Sequence, residues 1–298
     1  MFKKKQERLE IVSKGEKTFK VINYMLLAVI AICSIYPLVY VLSASVSRGS
    51  AVDAGKVVLA PIGFTLDAYK AVLADKWFWA AYGNTFFYTI VGTIFSMFVS
   101  ISAAYVLSRK RFKFRKQFNL LLAITIWFNV GFIPLYLNYR SLGADNSRWM
   151  IIFEFGVHAF NILLLRNYFE SIPDELEEAA NIDGANDFQI LYRIFIPVSR
   201  PAITTVWLYY AIDRWNGWFW ASVLLKQQDK VPLQVYLKQK IIDSVLVADN
   251  ARTIASGSYS FTTLTYAIVI CSIIPIVLVY PYIQKHFSKG ILVGGVKE

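Results

Sequence analysis

The chain has 298 residues, of which 56% are hydrophobic and only 17% are charged, and its mean hydropathy is +0.46. This composition favours a membrane protein over a soluble domain. The formal net charge of +11 does not indicate a nucleic-acid-binding protein, because the basic residues flank apolar segments; it predicts contact with anionic membrane lipid instead.

Apolar segments long enough to cross a bilayer follow one another along the chain. A spanning helix needs about 20 mostly apolar residues. Six segments meet this requirement, namely roughly 20–46, 81–107, 118–139, 149–168, 201–225 and 260–284. The first is too long for a signal-peptide core and lacks a small-residue cleavage site, so we expect it to remain as an anchor. The sequence therefore predicts an all-α, polytopic membrane protein with six transmembrane helices, forming one domain over 1–298 without an internal repeat.

The distribution of Lys and Arg predicts the orientation of these spans. Residues 1–20 contain seven basic residues and the short loop 108–117 contains six, whereas on the other side they are spread over the long loops 48–80 and 226–259. Basic residues accumulate in cytoplasmic loops. Since six spans return the chain to its starting side, we expect both termini and the loop 171–201 in the cytoplasm.

The loop 171–201 is polar and acidic, yet its sequence indicates a folded helical hairpin. Ser171 is placed to cap a first helix, whose early acidic residues suit the positive end of the helix dipole. Gly184 is expected in the left-handed conformation that ends this helix. A second helix is predicted to begin at Asp187 and to stop at Pro197. A rigid hairpin on a membrane face is a docking element.

The spacing of this hairpin resembles the EAA loop of membrane subunits of bacterial ABC importers, and in particular the sugar-importer branch. The residues that carry the resemblance are Glu178, Ala179, Ala180, Asp183, Gly184, Ile194 and Pro197. Ile196 stands where that pattern usually has leucine. In that family the loop inserts into a cleft of the cytoplasmic ATPase subunit, so the resemblance assigns these residues to ATPase coupling. The alternative is an ordinary amphipathic hairpin between two spans.

Weaker likenesses extend over nearly the whole chain. The segments 61–69, 129–143 and 289–297 resemble the first outer loop, the third span and the Gly-rich end of maltose-permease-like proteins, the middle one being typical of an oligosaccharide subfamily. The resemblance implies a bacterial cytoplasmic-membrane permease for carbohydrate. It also implies four kinds of partner: a second, different permease subunit, two ATPase subunits, an extracellular solute-binding protein and the sugar itself.

No nucleotide-binding motif is present in the chain. The only Gly-Lys pair, Gly55-Lys56, lacks the context of a phosphate-binding loop. We therefore expect no enzyme activity and no cofactor in this chain, with ATP and Mg²⁺ bound by the partner ATPase. Nor do the cysteines and histidines have metal-site spacing. Cys33 and Cys271 are predicted to fill apolar space within spans, and His158, inside the fourth span, is either functional or a hydrogen-bonded core residue.

The fifth predicted span carries the candidate substrate path. Its proposed members are Tyr210, Asp213, Arg214, Trp215, Asn216 and Trp218. Charged groups at membrane depth should face the protein interior, water or each other, and Gly217 beside Asn216 predicts a weak point in the helix. Aromatic rings stack on sugar C–H faces while polar groups bind hydroxyls, which suits a carbohydrate. The alternative for Trp218 and Trp220 is an interfacial aromatic belt.

Two other functions remain open from the sequence. One is a secondary transporter driven by an ion gradient, against which stands the lack of paired interrupted spans in two matching halves. The other is a membrane receptor or scaffold whose hairpin docks a signalling protein. Neighbouring genes for a second permease and a solute-binding protein would favour the importer.

Overall fold

The computed structural model describes residues 14–128, 130–154, 156–250 and 258–294, and within them the regular structure is entirely helical. In chain order the helices are α1 (Lys14–Ser45), α2 (Gly49–Asp53), α3 (Asp67–Ala74), α4 (Lys76–Ser108), α5 (Arg115–Trp127), α6 (Phe132–Ser141), α7 (Arg148–Glu154), α8 (Ala159–Glu170), α9 (Asp174–Ile182), α10 (Asp187–Ile190), a π-helical turn (Leu191–Phe195), α11 (Ile196–Val198), α12 (Arg200–Asn216), α13 (Phe219–Leu224), α14 (Leu233–Asn250) and α15 (Phe261–Gly294). The predicted all-α class is confirmed. The tails 1–13 and 295–298, which the predicted orientation uses, lie outside the described residues.

Three single helices are long and apolar enough to cross a membrane: Gly15–Ser45, Lys76–Ser108 and Phe261–Val279. Two further spans result if the bent pairs are each counted as one, α5 with α6 at 115° and α7 with α8 at 52°. The fifth predicted span is shorter than expected, because α12 has 17 residues and ends at Asn216. The break at Gly217 agrees with the predicted weak point. The count of six spans stays a prediction.

One compact unit contains residues 14–70 and 258–270. Its small core consists of Ala44, Ala51, Val52 and Val57. The rings of Tyr40 and Tyr266 pack edge-on beside this core, with their centroids 5.8 Å apart. Gly49 packs so closely against the backbone of Tyr259 and Ser260 that an added Cβ would lie 2.4 Å from the Ser260 nitrogen. The Ser258 hydroxyl donates to the Asp67 carboxylate, and this hydrogen bond joins the start of α3 to the segment that precedes α15.

The second unit contains residues 71–250 and 271–294, and α4 is its central helix. It packs against α5, α7, α8, α12 and α14. The buried side of α4 is unusually rich in small and hydroxyl residues, which are Ala81, Thr85, Gly92, Thr93, Ser96, Ser100 and Ala104. Small side chains let helix backbones approach closely in a membrane, where the hydrophobic effect does not drive helices together. This close approach positions both candidate sites described below.

Candidate functional site

The first arm of the hairpin is α9, and it begins differently from the prediction. Its N-cap is Pro173, and no side chain caps it. The Ser171 hydroxyl donates instead to the Tyr168 carbonyl at 2.7 Å, so the predicted Ser171 cap is wrong. Three acidic residues lie in the first turn of α9, at the positive end of the helix dipole, which stabilises this end without a cap.

The turn and the second arm follow from local chemistry. Gly184 has φ of 77°, as predicted for a left-handed helix end. Asn186, not Asp187, caps the second arm: Asn186 Oδ1 accepts from the Gln189 N–H, and Gln189 Oε1 accepts from the Asn186 N–H, both at 2.9 Å. The helical path then continues through the π-helical turn to Val198, so Pro197 does not stop it. At the end of the π-helical turn the Ile196 N–H donates to the Leu191 carbonyl, five residues back instead of four. Pro197 follows within α11, so it lies inside the second arm.

The hairpin has an inner and an outer face. Ala180 is buried beside Ile190 and Phe195 in the core that α4, α8 and α12 share. A cleft of about 360 Å³ lies between the two arms, and four of the seven predicted coupling residues line it, namely Ala180, Asp183, Gly184 and Ile194. The other three, Glu178, Ala179 and Pro197, are exposed.

Large apolar side chains stand out from the hairpin into solvent. Ile182 is 86% exposed, Phe188 77% and Tyr192 72%. Patches of exposed apolar residues with a polar surround mark interaction sites. The outer face of the hairpin is therefore suited to a protein partner.

A buried ion pair attaches the hairpin to the end of α4. Arg109, the C-cap residue of α4, donates to the Glu177 carboxylate, and the two side chains are only 7% and 15% exposed. The same guanidinium donates to the Phe169 carbonyl at 3.2 Å and lies 4.4 Å from the ring centre of Phe195. One side chain thus connects α4, α8 and both arms. The sequence analysis assigned the basic loop 108–117 to orientation and did not predict a role for Arg109. A basic loop expected on the same membrane face as an acidic hairpin was the signal that favoured an ion pair between them.

Exposed ion pairs surround this buried one. Lys110 Nζ lies 2.5 Å from Asp174, and Arg111 pairs with Asp187. The hydrogen bond from Lys110 lowers the pKa of Asp174, and the same bond raises the pKa of Lys110. Asp187 is therefore engaged in an ion pair, and Asn186 caps the second arm.

The predicted substrate-path residues divide between two sides of α12. Three are buried. The Arg214 guanidinium donates to Ser96 Oγ at 2.7 Å and to the Ile152 carbonyl at 3.1 Å. The Tyr210 hydroxyl lies 2.7 Å from Ser100 Oγ, and the Trp215 ring packs edge-on against Phe86 and Tyr82. These groups connect α12 to α4 and to the bent pair of α7 and α8.

The remaining path residues are exposed. Asp213 Oδ2 lies 3.1 Å from His158 Nε2, and both side chains are about half exposed, at 45% and 50%. His158 is thus hydrogen-bonded but is not a core residue. Asn216 Nδ2 donates to the Ile212 carbonyl of its own helix at 3.0 Å. Trp218 is 41% exposed, and Lys238 Nζ lies 3.9 Å from its ring centre.

No group of three potential metal ligands occurs within the described ranges. In the same part of the chain both cysteines are free thiols; Cys33 lies on an exposed side of α1, and Cys271 is half-buried in α15. The two arrangements that the structure offers are therefore a docking hairpin and a polar helix face.

Comparison with known proteins shows that the chain is similar to membrane proteins of transport systems. Residues 77–293 match the family described as binding-protein-dependent transport system inner membrane component. The polygalacturonan/rhamnogalacturonan transport system permease protein YtcP of Bacillus subtilis (strain 168) is 38% identical, covering 94% of this chain and 99% of YtcP. Protein LplC of the same strain is 34% identical over 96% of this chain and 97% of its own.

Two solved structures are similar as well. A chain in the crystal structure of a bacterial ABC transporter involved in the import of the acidic polysaccharide alginate is 46% identical, with a TM-score of 0.87, and the match covers 92% of this chain and 98% of that one. A chain in the bacterial alginate ABC transporter in complex with alginate pentasaccharide-bound periplasmic protein is 17% identical over 93% and 96% of the two chains. Its TM-score of 0.61 shows a common fold.

Proposed function

Because this chain belongs to the family of binding-protein-dependent transport system inner membrane components, we propose that it moves an acidic oligosaccharide across a bacterial membrane, driven by ATPase subunits that dock on its hairpin. The chain is a multi-pass membrane protein and a permease subunit of an ABC importer for carbohydrate, and ATP hydrolysis belongs to another subunit. Membership of this family excludes the two alternative functions that the sequence alone leaves open, a secondary transporter and a receptor or scaffold.

The acidic cargo is supported by the named cargoes of two similar proteins. These are polygalacturonan or rhamnogalacturonan in one case and alginate in the other. Polygalacturonan and alginate are polymers of uronic acids, which carry a carboxylate on each sugar ring. A path for such a cargo needs exposed polar groups. His158 and Asn216 are exposed, and the Asp213 carboxylate, which alone would repel a uronate, lies 3.1 Å from His158 Nε2.

The observation that carries the coupling role is the buried attachment of the hairpin to α4. A hairpin transmits force only if it moves as a unit with the spans. The Gly184 turn, the Asn186 cap and the Arg109–Glu177 pair together fix α9 and the second arm to the end of α4. In the proposed cycle ATP closes the ATPase dimer, the hairpin moves with it, and α4 tilts toward an outward-facing state.

The proposed assembly contains more than this chain. A second, different permease subunit would complete the translocation path against the exposed face of α12. Two ATPase subunits would lie below, one of them on this hairpin, and a solute-binding protein would deliver the cargo from outside. In this arrangement both termini and the loop 171–201 are cytoplasmic.

Affinity purification of the tagged chain from its native membrane in mild detergent tests the assembly. We expect a second permease, an ATPase and a solute-binding protein to co-purify. A stable homo-oligomer without an ATPase would contradict the proposal.

Backbone variants test the coupling role. Gly184→Pro should abolish ATPase co-purification and sugar uptake while the chain still inserts, because proline cannot adopt φ of 77°. Gly143→Pro is the matched control, since Gly143 has a similar φ of 71° at a helix end outside the hairpin, and it should keep the ATPase bound. Glu178→Lys, which reverses an exposed charge on α9, should abolish uptake too. Uptake by both hairpin variants at the wild-type rate would refute the coupling role.

A further inference from the structure

The exposed edge of α12 leads from one membrane face to Trp218. Tyr209, Asp213 and Asn216 follow one another along this edge with spacings of four and three residues, and all three are exposed. A helix of 17 residues is about 25 Å long, so Trp218 lies close to the membrane face opposite Pro201. Since a carboxylate is costly against lipid, this edge faces water or protein.

An acidic cargo needs a cation along this edge, and Arg214 does not supply it. Arg214 is 5% exposed, and its guanidinium donates to Ser96 Oγ and to the Ile152 carbonyl. An added Cβ on Gly92 would lie 2.1 Å from its Nη1, so α4 covers this group closely. Arg214 therefore supports the packing of α12, and the cation for the cargo lies elsewhere.

Lys238 supplies a cation at the end of the exposed edge. Its Nζ lies over the Trp218 ring, 3.9 Å from the centroid, where the π electrons attract it. The base of α14, which carries Lys238, is held against α4: the Leu233 N–H donates to Thr85 Oγ1 at 2.7 Å, and the Tyr236 hydroxyl donates to Asp75 at 2.6 Å. The ammonium is thus positioned by a fixed helix.

Neighbouring lysines differ from Lys238 in having oxygen partners. Lys226 lies 3.2 Å from Asp145, Lys240 lies 3.9 Å from Asp75, and Lys230 donates to the Asn146 carbonyl at 2.9 Å. Within the described part of the chain, no carboxylate is at ion-pair distance from Lys238. An ammonium has three donors, and here they remain available to an anion.

We propose that Trp218 and Lys238 form a uronate-binding subsite at the outer end of the substrate path. The pyranose C–H face lies on the exposed part of the indole, and the sugar carboxylate accepts hydrogen bonds from Lys238 Nζ. This subsite rests on the proposed import of an acidic oligosaccharide. It makes Lys238 a residue that selects for the charge of the cargo.

Uptake by cells that express variants in place of the wild-type chain tests the subsite. The probes are radiolabelled trigalacturonate and its methyl ester, which has the same rings without the charge. Lys238→Met should lower the kcat/KM of trigalacturonate uptake about tenfold, as expected for a lost charge-assisted hydrogen bond, and should leave ester uptake unchanged. Trp218→Ala should lower uptake of both probes. Lys226→Met, which removes a paired lysine, is the control and should change neither.

A second measurement restores the charge chemically. Lys238→Cys, made in a background in which serine replaces Cys33 and Cys271, should recover trigalacturonate uptake after reaction with 2-aminoethyl methanethiosulfonate, which adds an ammonium. The uncharged methyl reagent should not restore uptake. Recovery with both reagents, or equal loss of both probes in Lys238→Met, would assign Lys238 a packing or lipid-anchoring role and overturn the subsite.

The outcomes separate this inference from the function on which it rests. If the wild-type chain imports trigalacturonate and Lys238→Met does so equally well, the subsite alone is wrong. If the wild-type chain does not support uptake of trigalacturonate, the acidic cargo is wrong, and the subsite is wrong with it.

Discussion

Replacing Arg109 with methionine should detach the hairpin from α4 without unfolding the spans. Methionine keeps much of the side-chain volume and removes the charge, so Glu177 stays behind at 15% exposure with Arg111 as the nearest cation, 4.0 Å away. Removing one partner of a buried ion pair costs about 3–5 kcal/mol. We expect about 3 kcal/mol, because the Glu177 side chain is already 15% exposed and can regain some water.

A change of this size would shift the ratio of attached to detached hairpins by about two orders of magnitude. The assay is limited proteolysis of the loop 171–201 in membrane vesicles, together with ATP-driven sugar uptake and ATP hydrolysis by the complex. We expect faster cleavage, and less sugar imported per ATP hydrolysed, in Arg109→Met.

Two further variants make this prediction specific. Lys110→Met removes an ion pair between the same two segments, but its side chains are 79% and 54% exposed, so cleavage should hardly change. Arg109→Met combined with Glu177→Leu replaces the buried pair by apolar groups and should restore much of the attachment. If Arg109→Met were cleaved no faster than Lys110→Met, the buried pair would not be what fixes the hairpin.

Three more predictions concern packing, capping and pH. Gly92→Ala should lower the thermal unfolding midpoint in detergent, because overpacking against Arg214 costs about 1–3 kcal/mol, whereas Gly83→Ala, with open space around it on the same helix, should not. Asn186→Ala should cost about 1 kcal/mol by loss of the cap and speed proteolysis of the hairpin, and equal cleavage of wild-type and variant would refute the assignment of the cap. Hydrogen bonds lower the pKa of Asp67 from 3.8 to about 2, and the bond from Ser258 has the largest effect. The contact between Asp67 and Ser258 therefore stabilises the fold above pH 3.8, and this stabilisation is lost as the pH falls toward 2. Hydrogen exchange over residues 48–70, corrected for the intrinsic rate, should show this loss in the wild-type chain and not in Asp67→Asn.

The sequence by itself determined the features that depend on a few consecutive residues. Apolar runs of about 20 residues identify membrane-spanning helices such as α1 and α4, since the bilayer leaves the backbone few alternatives. Gly184 was placed correctly in the left-handed region, because glycine after an amphipathic stretch adopts it without a Cβ penalty. The residue spacing around Gly184 also resembles that of the importer family to which the chain belongs.

Only the tertiary structure decided which side chains meet. Adjacent residues on a helix point about 100° apart, so the charges of Asp213 and Arg214 could not be assigned to the exposed and buried sides until α4 was packed against α12. Asn186 and Asp187 are equally good caps locally, and the pairing of Asp187 with Arg111 accompanies capping by Asn186. Contacts such as Arg109 with Glu177 join residues 68 positions apart. Such contacts depend on how closely whole helices approach, a distance that no local pattern of residues contains.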